Sequence, residues 1–256
     1  MAEFVSDGVS IAYDDIGSGR PVVLVHGFAS NRDEAWKRTG WYAAFERRGQ
    51  RVVALDLRGH GQSGKPHESE AYGRATMVGD IVRLMDHLQL GPVDLIGYSM
   101  GAHLSLALAL SDQGRLANLV LGGVGGRMFQ PRDTSGPSMA EAMRAENPDS
   151  ISDPMLRSFR HFADEQGEDR LALAACTEAI RTVPDRDDLF ALSVPTLVAA
   201  GARDQLAGDP QELADAIRGA KAITLAGCDH FNAIPHALLK AAVFDFLDGY
   251  LDDPFG

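Results

Sequence analysis

Positive charge is the first thing the chain is short of: 24 Lys plus Arg stand against 36 Asp plus Glu, a formal net charge of -12. Nucleic acid and anionic membrane surfaces bind through clustered cations, so the balance argues against both as partners and favours a soluble protein. Charge says nothing about the substrate, and the expectation of a small-molecule substrate rests on the motifs. Long apolar runs are missing too, since no stretch approaches the ~20 residues that span a bilayer. The start, Met1-Ala2-Glu3-Phe4-Val5-Ser6-Asp7-Gly8, lacks a basic segment followed by an apolar one, so a cytoplasmic location is expected. Cysteine is scarce as well: Cys176 and Cys228 match no CxxC or metal-ligand spacing, which leaves no disulfide framework and two thiols in a reducing compartment. No internal repeat or low-complexity segment occurs, and the sequence carries no signal for an oligomeric state.

What is present suffices for a large core: 45% of the 256 residues are hydrophobic. Short β-branched runs alternate with helix-period segments, the pattern of a mostly parallel sheet with helices on both faces. The expected strands cover 3–6, 9–16, 21–26, 51–55, 93–97, 117–122, 195–200 and 221–226. The first two leave no room for a crossover helix and should pair as an antiparallel hairpin at one edge. Met77, Ile81, Leu84, Met85 and Leu88 recur at helical spacing, as do Leu239, Ala242, Val243, Phe246, Leu247 and Tyr250. Between the sixth and seventh strands lies more chain than a crossover needs. We read 1–124 and 193–256 as the core domain and 125–192 as a helical insertion, broken into short helices by Pro131, Pro137, Pro148, Pro154 and Pro184.

One pentapeptide carries chemistry. Gly97-Tyr98-Ser99-Met100-Gly101 lies between the strand-like Val93-Asp94-Leu95-Ile96 and an Ala- and Leu-rich helix. A turn that sharp strains the serine backbone and lifts its hydroxyl clear of the sheet, with glycines on either side relieving the crowding. As a bare string it would arise by chance in roughly one chain in ten of this length. Its partners decide the matter.

A serine hydroxyl needs a neighbouring base to take its proton. Of the eight histidines, His67 lies in a polar loop, His87 on a predicted helix, and His161 and His236 in helix-like contexts. His230, in Gly227-Cys228-Asp229-His230-Phe231-Asn232, follows the last predicted strand at the carboxyl edge of the sheet, where ligand sites of open α/β sheets gather. A third group must orient the imidazole. Asp204 fits, just past the seventh strand; Asp209 is the rival, although an acid before Pro210 is well explained as a helix N-cap. Asp229 is adjacent to the base and should project away from it. The oxyanion formed on attack needs N–H donors, for which the candidates are the backbone groups of Met100, after the nucleophile, and Phe28, after His26-Gly27.

Together these motifs resemble the α/β-hydrolase family, whose triad runs in the order Ser, acid, His. The resemblance rests on His26-Gly27-Phe28, on Asp56-Leu57-Arg58-Gly59-His60-Gly61-Gln62-Ser63, on Gly97 to Gly101, on Asp204 and on Asp229-His230. It implies an eight-stranded α/β-hydrolase sheet with a small helical cap after the sixth strand. The cap would roof the pocket, with Met128, Phe129, Met139, Met143, Phe159 and Phe162 as candidate lining residues. It also implies that the segment from Asp56 to Ser63 braces the sheet edge instead of reacting.

A serine in place of aspartate, and a cap without tyrosine, set the chain apart from the family's haloalkane dehalogenases and epoxide hydrolases. Gly122-Gly123-Val124-Gly125-Gly126 offers no acid after the sixth strand, so the family's alternative acid position is empty. The expected activity is a serine hydrolase acting on a small carboxylic ester or thioester with no metal or organic cofactor. Carbon–carbon bond hydrolysis, lactone hydrolysis and cofactor-free perhydrolysis of the haloperoxidase type use the same triad. A slow-turnover ligand sensor is the alternative of another class.

Overall fold

The computed structural model describes residues 2–130, 136–179 and 184–251. Strands β1 (Ala2–Ser6), β2 (Val9–Ile16), β3 (Pro21–Val25), β4 (Arg51–Leu55), β5 (Val93–Tyr98), β6 (Leu116–Gly122), β7 (Thr196–Gly201) and β8 (Lys221–Leu225) form one eight-stranded sheet. Their order is β1-β2-β4-β3-β5-β6-β7-β8. The hairpin of β1 and β2 is antiparallel, and β2 also runs antiparallel to β4; β3 onward is parallel throughout.

Alternation along each strand divides the core. Val23, Val25, Val53, Leu55, Leu95 and Val198 face one layer, where α2 (Arg74–His87), α3 (Met100–Asp112) and α8 (Pro210–Ala214) pack. Val22, Leu24, Val52, Ala54, Ile96 and Leu197 face the other, against α1 (Trp41–Arg47) and α9 (Ala237–Leu247). The apolar stripe read on α2 is buried at Met77, Ile81, Leu84 and Met85. That on α9 stops short of its expected end: the helix closes at Leu247, and Tyr250 lies beyond it, 66% exposed.

Between β6 and β7 the chain forms α4 (Met139–Arg144), α5 (Pro154–Gln166), α6 (Arg170–Glu178) and α7 (Arg186–Phe190). Side-chain caps start each one. Ser138 and Glu141 make a capping box, while Asp153, Asp169 and Asp185 accept first-turn N–H groups. Pro154 opens α5 and Pro148 a single 3₁₀ turn, so these prolines set helix starts; Pro131 lies outside the described residues. The segment is sewn to the rest of the molecule: α6 contributes Ala175 and Cys176 to the main core, and Glu168 accepts from Asn31 Nδ2 at 3.0 Å and from the Gly61 N–H at 2.8 Å.

Candidate active site

Strand β5 runs straight into α3, and Ser99 is the joint. Its backbone sits at φ 53°, ψ -115°, a left-handed conformation that costs a non-glycine residue of order 1–3 kcal/mol. Close approach explains the flanking glycines. A Cβ on Gly97 would lie 2.6 Å from the Gly101 carbonyl carbon, and one on Gly101 would lie 2.6 Å from the His26 oxygen. Helix α3 therefore crosses the strand ends at a distance only glycine allows.

The Ser99 hydroxyl lies 2.9 Å from His230 Nε2, and His230 Nδ1 lies 2.8 Å from Asp204 Oδ2. Both His230 and Asp204 are buried. The other oxygen of Asp204 accepts the N–H groups of Leu206 at 3.0 Å and Ala207 at 2.9 Å, which fixes the carboxylate in its loop. An oxygen of an ionised carboxylate only accepts, so the proton of the imidazole belongs on Nδ1, and Nε2 is left to accept from Ser99. Asp209 is elsewhere occupied: it caps α8 by accepting the Gln211 N–H at 2.9 Å. Asp229 builds the turn that carries the histidine, accepting from Phe231 N–H and Asn232 N–H at 3.0 Å each, while Asn232 Oδ1 accepts the Asp229 N–H at 2.8 Å.

The loop after β3 abuts the serine: a Cβ on Gly27 would sit 3.3 Å from Ser99 Cβ. Ala29, at φ 59°, holds a second strained backbone two residues on. His26 is fully buried, its Nδ1 2.8 Å from the Gly27 oxygen and its Nε2 accepting the Leu57 N–H at 3.0 Å. Burial pushes its pKa down to about 4, so it is neutral and ties the Gly27 loop to the segment after β4. In that segment Asp56 accepts from the Arg32 and Gln62 N–H groups at 2.8 Å each. Arg58 grips Asp80 through two bonds of 2.7 Å. Burial, followed by the influence of His26, lowers the His60 pKa to about 3. All three residues bind neighbouring chain, His60 through Nδ1 3.0 Å from the Arg58 oxygen, and among the described residues none of them is hydrogen-bonded to Ser99, His230 or Asp204.

The candidate lining residues divide. Met139, Met143, Phe159 and Phe162 share one apolar cluster with Phe28, Ala29 and Leu206. The Phe159 ring lies 6.0 Å from that of Phe28 and 6.4 Å from the His230 imidazole. Met128 and Phe129 pack on the main core instead, with Arg186 lying 4.0 Å over the Phe129 ring. The sequence reading missed Phe231, whose ring is 5.8 Å from His230 and 5.1 Å from Phe159, although its place directly after the histidine was a signal. It missed Tyr98 as well, which donates to the His230 carbonyl oxygen at 2.7 Å. Among the described residues, no group of three or more His, Cys, Asp or Glu is arranged to hold a metal ion, and no helix is long and apolar enough to cross a membrane.

Comparison with known proteins agrees with this layout. Residues 20–149 match the model of the alpha/beta hydrolase fold. The chain is 29% identical to the 2-hydroxymuconate semialdehyde hydrolase of Pseudomonas sp. (strain CF600), over 96% of this chain and 93% of that one. It is 30% identical to the non-heme haloperoxidase of Rhodococcus erythropolis, over 78% and 81% of the two chains. Among solved structures, an esterase from Exiguobacterium antarcticum superimposes with a TM-score of 0.77 at 24% identity, covering 99% of this chain and 100% of that one. The eight-stranded sheet, the strained serine at the end of its fifth strand and these relatives lead to one conclusion: the chain belongs to the alpha/beta hydrolase fold family and is a hydrolase of that fold.

Proposed function

We propose that the protein cleaves a small carboxylic ester or thioester through an acyl-enzyme on Ser99. The observation that carries this reading is the unbroken relay from the Ser99 hydroxyl through His230 to Asp204, with contacts of 2.9 and 2.8 Å. His230 takes the hydroxyl proton as Ser99 attacks the acyl carbon, and Asp204 holds the imidazole and offsets its positive charge. The N–H groups of Phe28 and Met100 receive the oxyanion. His230 then gives the proton to the departing alcohol or thiol, activates water for the second step, and the acid leaves. Each step uses groups of this chain alone.

The helices between β6 and β7 act as the cap. Phe159, Phe162, Met139 and Met143 bound the acyl group from above, Phe28 and Leu206 from the core side, and Met128 and Phe129 support this wall from behind. An apolar enclosure of this kind favours a small uncharged acyl chain. A cytoplasmic placement remains part of this proposal.

The test is a panel of aryl esters graded by acyl length, with thioesters, lactones and vinylogous diketones, run on the wild type and Ser99→Ala together. Esters or thioesters should lead. A diketone turned over fastest would instead identify carbon–carbon bond hydrolysis, the chemistry that the semialdehyde hydrolase relative brings to mind. Turnover below about one event per minute on every compound, against the ~1–10³ s⁻¹ usual for enzymes, would favour a ligand sensor.

A further inference from the structure

Tyr98 takes no part in the chemistry above, yet it joins both of its ends. It closes β5, is 4% exposed, and is covalently adjacent to Ser99. Its Oη donates to the backbone oxygen of His230 at 2.7 Å, and its ring centre lies 5.5 Å from the imidazole. On the other side the ring fills a slot against β6, where a Cβ on Gly122 or Gly123 would come within 2.8 Å of it. The Gly122 oxygen, in turn, accepts the Ser99 N–H at 2.8 Å. Burial, with the nearby Asp204 and Asp229 charges acting in the same sense, pushes the phenol well above its ordinary pKa, so the hydroxyl stays a donor.

His230 needs such a strut. It lies beyond the end of β8, on a loop held at one end by the reciprocal Asp229 and Asn232 bonds and at Cys228 by the Arg203 N–H at 2.9 Å. Neither is a bond to β5; Cys228 and Ala233 pack in one apolar cluster with Ile96 and Tyr98, and the Tyr98 hydroxyl adds a directed bond from β5 to the histidine itself.

The geometry points to Tyr98 as a positioning residue for His230: its hydroxyl fixes the backbone of the base relative to the nucleophile, so the two are related by one covalent neighbour and one hydrogen bond. This inference rests on the hydrolase reading of Ser99 and His230. A carbonyl released from Tyr98 lets the imidazole drift, and a 1 Å misplacement costs up to ~10²-fold in rate.

Tyr98→Phe tests it, because the ring that fills the β6 slot is retained and only the O–H is lost. Three quantities should be read: kcat and KM on the best ester of the panel, the melting temperature, and the downfield proton resonance of His230 Nδ1–H, assigned through its loss in Asp204→Asn. The expected result is a kcat lower by about tenfold with KM within about twofold, and a shifted or broadened resonance. A merely structural tyrosine would lower the melting temperature and leave kcat and the resonance where they were, and that result overturns the inference. The resonance reports geometry without turnover, so the two readings fail separately. A wild type silent on every ester defeats the proposed function, whereas an unmoved resonance in Tyr98→Phe defeats the role of Tyr98.

Discussion

Asp204 divides its two oxygens between tasks: Oδ1 accepts the N–H groups of Leu206 and Ala207, and Oδ2 lies 2.8 Å from His230 Nδ1. That division makes Asp204→Asn a sharp experiment. The backbone N–H groups will select the amide oxygen, which turns the amide NH₂ toward His230. Nδ1 must then accept, the proton moves to Nε2, and the imidazole presents a donor to Ser99 in place of a base. We predict a kcat lower by ~10⁴ with KM and melting temperature little changed, by analogy with the wrong-tautomer effect known for such triads. Steady-state kinetics with a thermal melt checks it.

Glu168 fastens the helical segment to the core through Asn31 and Gly61, and the removal of its carboxylate leaves two donors unpaired. Glu168→Ala should cost about 2 kcal/mol, which corresponds to a melting temperature lower by roughly 4–8 °C in a chain of this size. Hydrogen exchange at the Gly61 amide should quicken first. A Gly61 amide as protected as in the wild type would show that the two loops hold together without it.

His26 and His60 set an acid limit. Both are held below the ordinary imidazole value of 6.5, His26 at about 4 and His60 at about 3, chiefly by burial. The unfolded chain therefore binds these protons first. The stability they contribute is complete above pH ~6.5 and is lost as the pH falls through the folded-state values. For His26 the loss amounts to about 3 kcal/mol across that window. Thermal melts from pH 7 to 4 should show a steep decline, shallower in His26→Gln, which cannot be protonated; equal slopes would contradict the assignment.

With its ring 6.0 Å from that of Phe28 and 6.4 Å from the His230 imidazole, Phe159 is, under the proposed function, the side chain that limits the acyl group. In Phe159→Leu, kcat/KM should move toward longer acyl chains by about tenfold relative to acetate, since one or two methylenes in an apolar pocket are worth ~1–3 kcal/mol. The ester series measured on both proteins decides it.

Local signals in the sequence were sufficient for the strands, the elbow at Ser99 and the partners His230 and Asp204, because each is marked by what stands beside it: a β-branched run, a glycine, a strand end. Asp209 was separable in the same way, as the acid before Pro210 that caps α8. What escaped was set by distant chain. No pattern around Tyr98 tells that its hydroxyl meets the carbonyl of His230, and none around Glu168 tells that it reaches Asn31 and Gly61. Met128 and Phe129 are candidate lining residues on the resemblance of their segment to the family's cap; they pack, like Phe28, against the main core, and no local pattern tells which layer an apolar residue of a short helix joins. Tyr250 continued a helical period that the backbone had already left at Leu247.

The central claim is a covalent acyl group on Ser99. The most direct measurement is rapid acid quench of the enzyme mixed with an activated aryl ester, followed by mass analysis of its peptides. The account predicts an acyl mass on the peptide containing Ser99, formed in a burst before steady turnover, and absent in Ser99→Ala, whose kcat should be ~10⁴ to 10⁶ lower. An unmodified Ser99 peptide during rapid hydrolysis, or a Ser99→Ala protein that turns the ester over at near the wild-type rate, would contradict it.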